Sequence, residues 1–128
     1  MLNVELDIRA ADGRAVVALS GDFHLADAPG VASHLITAVA ACGPSVIVDL
    51  AALESIGYSG LSVLLRIQQW TRRRGGDLAL AAPRPAVHLM LEATGLINVF
   101  PVYGSVDEAA GGRKFAAAVT WPSLALIG

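Results

Sequence analysis

The chain has 128 residues, of which 55% are hydrophobic and 16% charged, with a formal net charge of −2. That length fits one domain, and the apolar share is too high for a chain that stays disordered. The acidic balance argues against direct nucleic-acid binding, because phosphate contacts need a basic excess.

In chain order, Leu2, Val4, Leu6 and Ile8 alternate with Asn3, Glu5, Asp7 and Arg9. A period of two predicts a strand with one buried face. Ala11-Asp12-Gly13 is turn chemistry, and Ala15 to Ser20 reads as a second strand, so the two form an antiparallel hairpin. Gly21 to Ala26 reads as a loop. Asp27 is placed to cap a helix whose first turn takes Pro29. Val31, Leu35 and Val39 carry that helix to about Ala41 at helical spacing. Cys42, the one cysteine, excludes an intrachain disulfide and suits a reducing, cytoplasmic compartment. Among Ala40, Ala41 and Gly43 it reads as a small packed residue near a helix end.

Ser45-Val46-Ile47-Val48-Asp49-Leu50 is nearly continuous in apolar residues, as a strand covered on both faces is. A loop is expected from there to Tyr58. Gly60 to Arg74 is helical in pattern, with Leu61, Leu64, Leu65, Ile67 and Trp70 apolar, and Gly75-Gly76 ends it. Arg72-Arg73-Arg74 then reads as a solvated helix end, where cations complement the dipole. Asp77 to Ala82 is another buried strand. Pro83 and Pro85 lead into a helix with Val87, Met90 and Leu91, closed near Gly95. Asn98 to Val102 is a last short strand. Ser105-Val106-Asp107-Glu108 has the form of a capping box.

This order predicts an α/β fold: a mixed sheet of four to five strands with an N-terminal hairpin and about four helices. The domain is expected over 1–112, followed by an apolar tail over 113–128. The tail carries Phe115, Val119, Trp121, Leu124, Leu126 and Ile127, and Pro122 forbids one unbroken helix there. It is expected to pack on its own domain or on a second copy in a homodimer. The first residues lack a signal peptide's basic and apolar regions. No apolar stretch reaches the ~20 residues that a membrane span needs.

Catalytic chemistry finds little support. His24, His34 and His88 lie in different elements with no second ligand three or four residues on, so neither a metal site nor a cofactor is indicated. Arg74-Gly75-Gly76-Asp77 follows a helix rather than a strand, unlike a phosphate loop. Gly57-Tyr58-Ser59-Gly60 lacks the spacing of a nucleophile elbow. A Ser-His-Asp arrangement made by folding stays open, since triads are spatial.

The informative stretch runs from Val48 to Leu61. A buried strand leads into a loop that delivers Ser59 to the start of a helix, where unpaired N–H groups and the positive dipole end accept an anion. Ser62, Arg66, Gln69 and Arg73 follow Ser59 at steps of three and four, on one polar face. From these residues alone Ser59 is either an N-cap on an ordinary solvated helix or a functional site.

In the order and spacing of these segments the sequence resembles a STAS domain, the sulphate-transporter and anti-sigma-factor-antagonist family. It is most similar to the small anti-sigma factor antagonists of bacteria. The resemblance spans roughly Val4 to Ala110. It rests on Leu19-Ser20-Gly21-Asp22, Leu25-Ala26-Asp27-Ala28-Pro29, Val48-Asp49-Leu50, Ser59-Gly60-Leu61 with Leu64-Leu65, and Leu91-Glu92-Ala93-Thr94-Gly95-Leu96. It implies that Ser59 takes the place of the serine phosphorylated by a cognate anti-sigma factor, itself a serine kinase. The partner-binding surface would then comprise Tyr58, Ser59, Gly60, Ser62, Arg66, Gln69 and Arg73, with Asp22 and His24. The sequence departs from the family motif at Gly57, where Asp is usual, and at Tyr58, where Ser or Thr is usual. His24 also stands where an acidic residue is common. The expected role is that of an anti-sigma factor antagonist released by phosphorylation. The alternative is a non-phosphorylated STAS scaffold subunit of a transport or lipid-trafficking complex, with Tyr58 as an interface anchor. An enzyme is the least favoured reading.

Overall fold

The structure is a computed structural model that describes residues 4–11 and 14–110. Its elements are β1 (Val4–Ala11), β2 (Arg14–Phe23), a 3-10 turn (Leu25–Asp27), α1 (Ala28–Cys42), β3 (Ser45–Ile56), α2 (Tyr58–Arg73) and β4 (Leu78–Ala81). They continue with α3 (Pro85–Thr94), a second 3-10 turn (Leu96–Asn98), β5 (Val102–Tyr103) and α4 (Val106–Ala109). The five strands form one sheet in sequential order, with β1 antiparallel to β2 and every later pair parallel. This is the expected mixed sheet with its N-terminal hairpin and four helices.

Sequential strand order decides where the helices lie. Right-handed crossovers that always step in the same direction leave every crossover helix on the same side. Val31, Leu35 and Ala38 of α1, Leu61, Leu64 and Ile67 of α2, and Val87 and Leu91 of α3 accordingly share one core. Alternation along the strands supplies the facing layer: Ala15, Val17 and Leu19 from β2, Val46, Val48 and Leu50 from β3, Leu78 and Leu80 from β4. The intervening Val16, Ile47 and Ala81 face the other way, where α4 covers them through Ala110, Val106 and Ala109. Ser45 to Leu50 is thus covered on both faces at its centre, as its apolar run predicts. The stretch Leu25–Cys42 has the length and mean hydropathy of a short membrane span, 18 residues at 1.3. Val31, Leu35, Ala38 and Val39 within it are buried against the sheet.

The structure corrects several boundaries. Gly21 and Asp22 are not in a loop: β2 continues through Phe23. β3 does not end at Leu50 but runs on to Ile56. In its pairing with β2, Ala18 opposes Asp49 and Ser20 opposes Ala52, then Gly21 opposes Leu53 and Asp22 opposes Ser55. Each of these steps takes one more residue on β3 than on β2, so β3 holds two bulges. Each bulge flips which face the next side chain takes. Leu50, Leu53 and Ile56 therefore all point into the core at a spacing of three, which hides the strand from a search for period two.

Other differences are local. Asp27 precedes α1, but its carboxylate turns back to accept the His24 N–H at 3.1 Å and does not cap the helix. Leu96 to Asn98 is a 3-10 turn, and the last strand is Val102–Tyr103. The Ser105 hydroxyl accepts the Glu108 N–H at 3.1 Å as expected, whereas Glu108 reaches the N–H of Gly104, not that of Ser105. Cys42 ends α1, half-buried against the core. The hairpin residues Asp12 and Gly13, the glycines Gly111 and Gly112, and the tail over 113–128 with its expected docking lie outside the described residues.

The α2–β4 corner makes a testable distinction between two adjacent glycines. A Cβ on Gly76 would lie 2.1 Å from the Pro44 carbonyl oxygen, so backbone would have to move. Gly75 has open space around it but a φ of +87°, which disfavours other residues only through its own conformation. Gly76→Ala is expected to cost about 3 kcal/mol or more, and Gly75→Ala about 1–2 kcal/mol. Urea denaturation of both variants checks the order, and equal costs would contradict this packing.

Candidate functional site

Past the two bulges, the C-terminal ends of β2 and β3 lie side by side at one end of the sheet. There Asp22 opposes Ser55 and Phe23 opposes Ile56. The chain leaves β3 through Gly57, whose N–H donates to the Phe23 carbonyl at 3.0 Å, and it enters α2 at once. Gly60 has no room for a side chain: a Cβ there would sit 2.8 Å from Ile56 Cγ1 and 3.1 Å from the Phe23 carbonyl oxygen. Glycine inside a helix costs about 1 kcal/mol relative to alanine. The close approach it permits seats the fully buried Phe23 and Leu61, each worth roughly 1.5–3 kcal/mol of burial.

The N-cap of α2 is Gly57, so Ser59 is the second helical residue and not the cap. No side chain caps this helix end. Ser59 is half-buried, and Ser62, Arg66, Gln69 and Arg73 are all exposed. The polar face read from their spacing is therefore a solvent face. It is long: at 1.5 Å per residue Arg73 lies about 21 Å along the axis from Ser59. Beside the helix start, Tyr58 is 72% exposed and Leu25, in the 3-10 turn packed on α2, is 74% exposed.

Asp22 and His24 come together through a residue that sequence reasoning missed. Ser55 donates its hydroxyl proton to Asp22 Oδ1 at 2.6 Å, and His24 Nε2 lies 2.9 Å from Ser55 Oγ. Only the bulged register sets Ser55 beside Asp22, so no linear spacing could have found it. The three residues of a Ser-His-Asp set are present, but the serine stands between acid and imidazole. A histidine-activated nucleophile needs the imidazole in the middle. The chain Asp22–Ser55–His24 orients the ring instead.

The remaining sequence candidates stand apart from this site. His34 is exposed on α1 and bonds the Gly30 carbonyl at 2.7 Å, and His88 faces Glu92 at 3.6 Å on α3. Arg72 pairs with Asp77 at 3.2 Å, and Arg74 lies over Trp70 with 4.6 Å to the ring centroid. The basic run is thus a helix end held by local partners. Arg66 also borders a hollow of about 220 Å³ between α1 and α2, lined by Ala32, Ile36, Val63, Ile67 and Trp70.

Comparison with known proteins places this architecture. The sequence pattern of the STAS domain matches residues 5–109. BtrV of Bordetella bronchiseptica, named as a candidate anti-sigma factor antagonist, is 30% identical over 113 residues, which cover 88% of this chain and 97% of BtrV. An anti-sigma F factor antagonist of Paenibacillus polymyxa is 27% identical over 110 residues, covering 84% of this chain and 93% of that protein. The crystal structure of an anti-sigma factor antagonist from Mycobacterium paratuberculosis superposes with a TM-score of 0.75 at 29% identity, over 84% of this chain and 91% of that one. With the family pattern spanning both the sheet and the head of α2, the chain belongs to the STAS domain family.

Proposed function

We propose that this chain is a cytoplasmic anti-sigma factor antagonist. It binds a cognate anti-sigma factor that is also a serine kinase, and phosphorylation of Ser59 releases it. The single observation that carries the reading is the place of Ser59: half-buried at the surface, second in α2, at a helix start that no side chain caps, near exposed Tyr58 and Leu25. A hydroxyl there can be reached by a kinase, and the same spot can be covered by a partner. Tyr58 and Leu25 offer apolar area, with tyrosine a frequent anchor at interfaces. The polar face through Ser62, Arg66, Gln69 and Arg73 extends the contact along the helix.

The switch follows from electrostatics. Phosphate adds about −1.5 to −2 charges at neutral pH. Free in solution, that charge sits at the positive end of the helix dipole and leaves the fold intact. In the complex it must be desolvated, and an unpaired buried charge costs ~3–5 kcal/mol. That is roughly two to three and a half powers of ten in affinity. The alternative reading, a STAS scaffold that is never phosphorylated, draws on Gly57 and Tyr58, which replace the family's Asp and Ser before the acceptor. The two readings differ in the partner, an anti-sigma factor against a transport or lipid-trafficking complex, and in whether charge at Ser59 matters.

Ser59→Asp is expected to weaken binding to the anti-sigma factor by tenfold or more, while Ser59→Ala keeps the affinity of the parent chain. The same Ser59→Asp change should raise stability slightly, by about 0.3–1 kcal/mol, through the helix dipole. Calorimetry with the cognate partner and a denaturation series read the two effects; equal affinities of both variants would leave Ser59 an ordinary helix residue and favour the scaffold. Arg66→Ala and Arg73→Ala should slow association, with the difference shrinking at high salt, because exposed charges act chiefly on encounter. Stopped-flow rates across a salt series test this, and unchanged rates would remove the lower half of α2 from the interface.

A further inference from the structure

α1 is more apolar on its outside than a surface helix needs to be. Ala28–Cys42 holds no aspartate, glutamate, lysine or arginine. Over Leu25–Cys42 the mean hydropathy is 1.3, yet only 28% of those residues are buried. The outward polar residues Ser33, His34 and Thr37 leave the side toward α2 to Ala32, Ile36 and Ala40. Ile36 there is 44% exposed. A surface helix ordinarily turns charge to solvent, and α1 does not.

This apolar side forms one wall of a groove. The hollow of about 220 Å³ between α1 and α2 has a neighbour of about 310 Å³ that reaches Gly43, Pro44 and Arg74. Ile36 and Trp70 line both, so the two run together. From Ala32 to Gly43 the groove follows α1 for about 16 Å, at 1.5 Å per residue.

The lower mouth of the groove opens near the point where the described chain ends. Gly43 and Pro44 join α1 to β3, so the mouth lies at the end of the sheet where β2 and β3 begin. At that end the Arg14 guanidinium donates to the carbonyl of Ala110, the last described residue. Arg14 is also paired with Ser45, the neighbour of Pro44. Ala110 packs on the face of the sheet opposite α1 and α2. Gly111 to Lys114, which reach about 13 Å when extended, can round the end of the sheet. The chain from Phe115 to Gly128 has no charged side chain and carries Phe115, Val119, Trp121, Leu124, Leu126 and Ile127.

We propose that this segment is the occupant: residues 115–127 fold back around the end of the sheet and seat their apolar side chains in the α1–α2 groove of the same chain. An extended stretch of about five residues already matches the length of the groove. A short tether holds the segment at a roughly millimolar effective concentration, which a separate partner would have to exceed. Neither α1 nor the segment has charged side chains with which to select a foreign partner. The inference does not depend on the role of Ser59.

The two tryptophans test it, Trp70 in the groove wall and Trp121 in the tail. The full chain labelled with fluorotryptophan gives one fluorine resonance for each, and a soluble gadolinium chelate reads their exposure. In the parent, Trp121 should be shielded from the chelate at every concentration where light scattering shows a monomer. Ile36→Asp should lower the docked population at least about tenfold, because the tail would have to bury the new carboxylate. Ala40→Asp, an exposed site in the lower hollow, should do the same with less change to α1. Thr37→Asp, exposed on α1 but outside the groove, should leave Trp121 shielded. A Trp121 as exposed in the parent as in Ile36→Asp would overturn the proposal. So would shielding that survives both groove variants, or that Thr37→Asp removes as well. Shielding that appears only as the chain dimerises would overturn docking within one chain and make the groove an interface between copies.

Discussion

The site depends on how the last residues of β2 and β3 are tied together. Two bulges let β3 keep pace with β2 while Leu50, Leu53 and Ile56 all stay in the core. The Gly57 N–H then closes on the Phe23 carbonyl, and the missing side chain of Gly60 lets α2 start against that same residue. Phe23 is therefore a hinge of the whole arrangement: strand partner, core side chain and floor of the helix start. Loosening it would move Ser59, Tyr58 and the His24 ring together.

The fold around this point is one-sided. Sequential strand order stacks α1, α2 and α3 on one face of the sheet, and among the described residues the four-residue α4 packs on the opposite face. The core between the helices and the sheet holds most of the buried apolar side chains, and α2 joins it through one stripe while its polar face stays in solvent. Its buried side is complete, from Leu61 through Leu64 and Ile67 to Gln68 and Thr71. Gln68 is tied by its amide to the Val99 carbonyl at 3.3 Å, which joins α2 to the turn after α3. A rigid helix with one free face suits a recognition element whose first turn can take a charge without unfolding.

The local chemistry at the head of α2 differs from what its position would favour. An N-cap without a capping side chain leaves the first N–H groups open. The His24 ring, which lies against Gly57, is bonded to Ser55, and Ser55 in turn to Asp22. Helix capping thus gives way to an oriented imidazole. The arrangement is exposed, so its hydrogen bonds contribute modestly to stability and more to where the ring points.

Much of the chain was legible from residue pattern alone. Helical spacing located α1, α2 and α3 to within a residue or two, because Leu, Ile and Val recur where a buried stripe needs them. The apolar run from Val46 to Leu50 marked its strand for the same reason, and the period of two from Val4 to Ile8 marked β1. The solvent face from Ser62 to Arg73 was readable too, since a helix maps sequence steps directly onto direction. The second half of β3 was not readable, because each bulge resets the face and erases the period. Asp27 showed its place but not its bond: a cap-forming carboxylate can turn forward or back, and the 3-10 turn turned it back to His24. The same limit hid Ser55 and the contact of His24 with Gly57. Those residues are more than thirty positions apart, and only the register of two parallel strands, set by bulges and burial, brings them within reach.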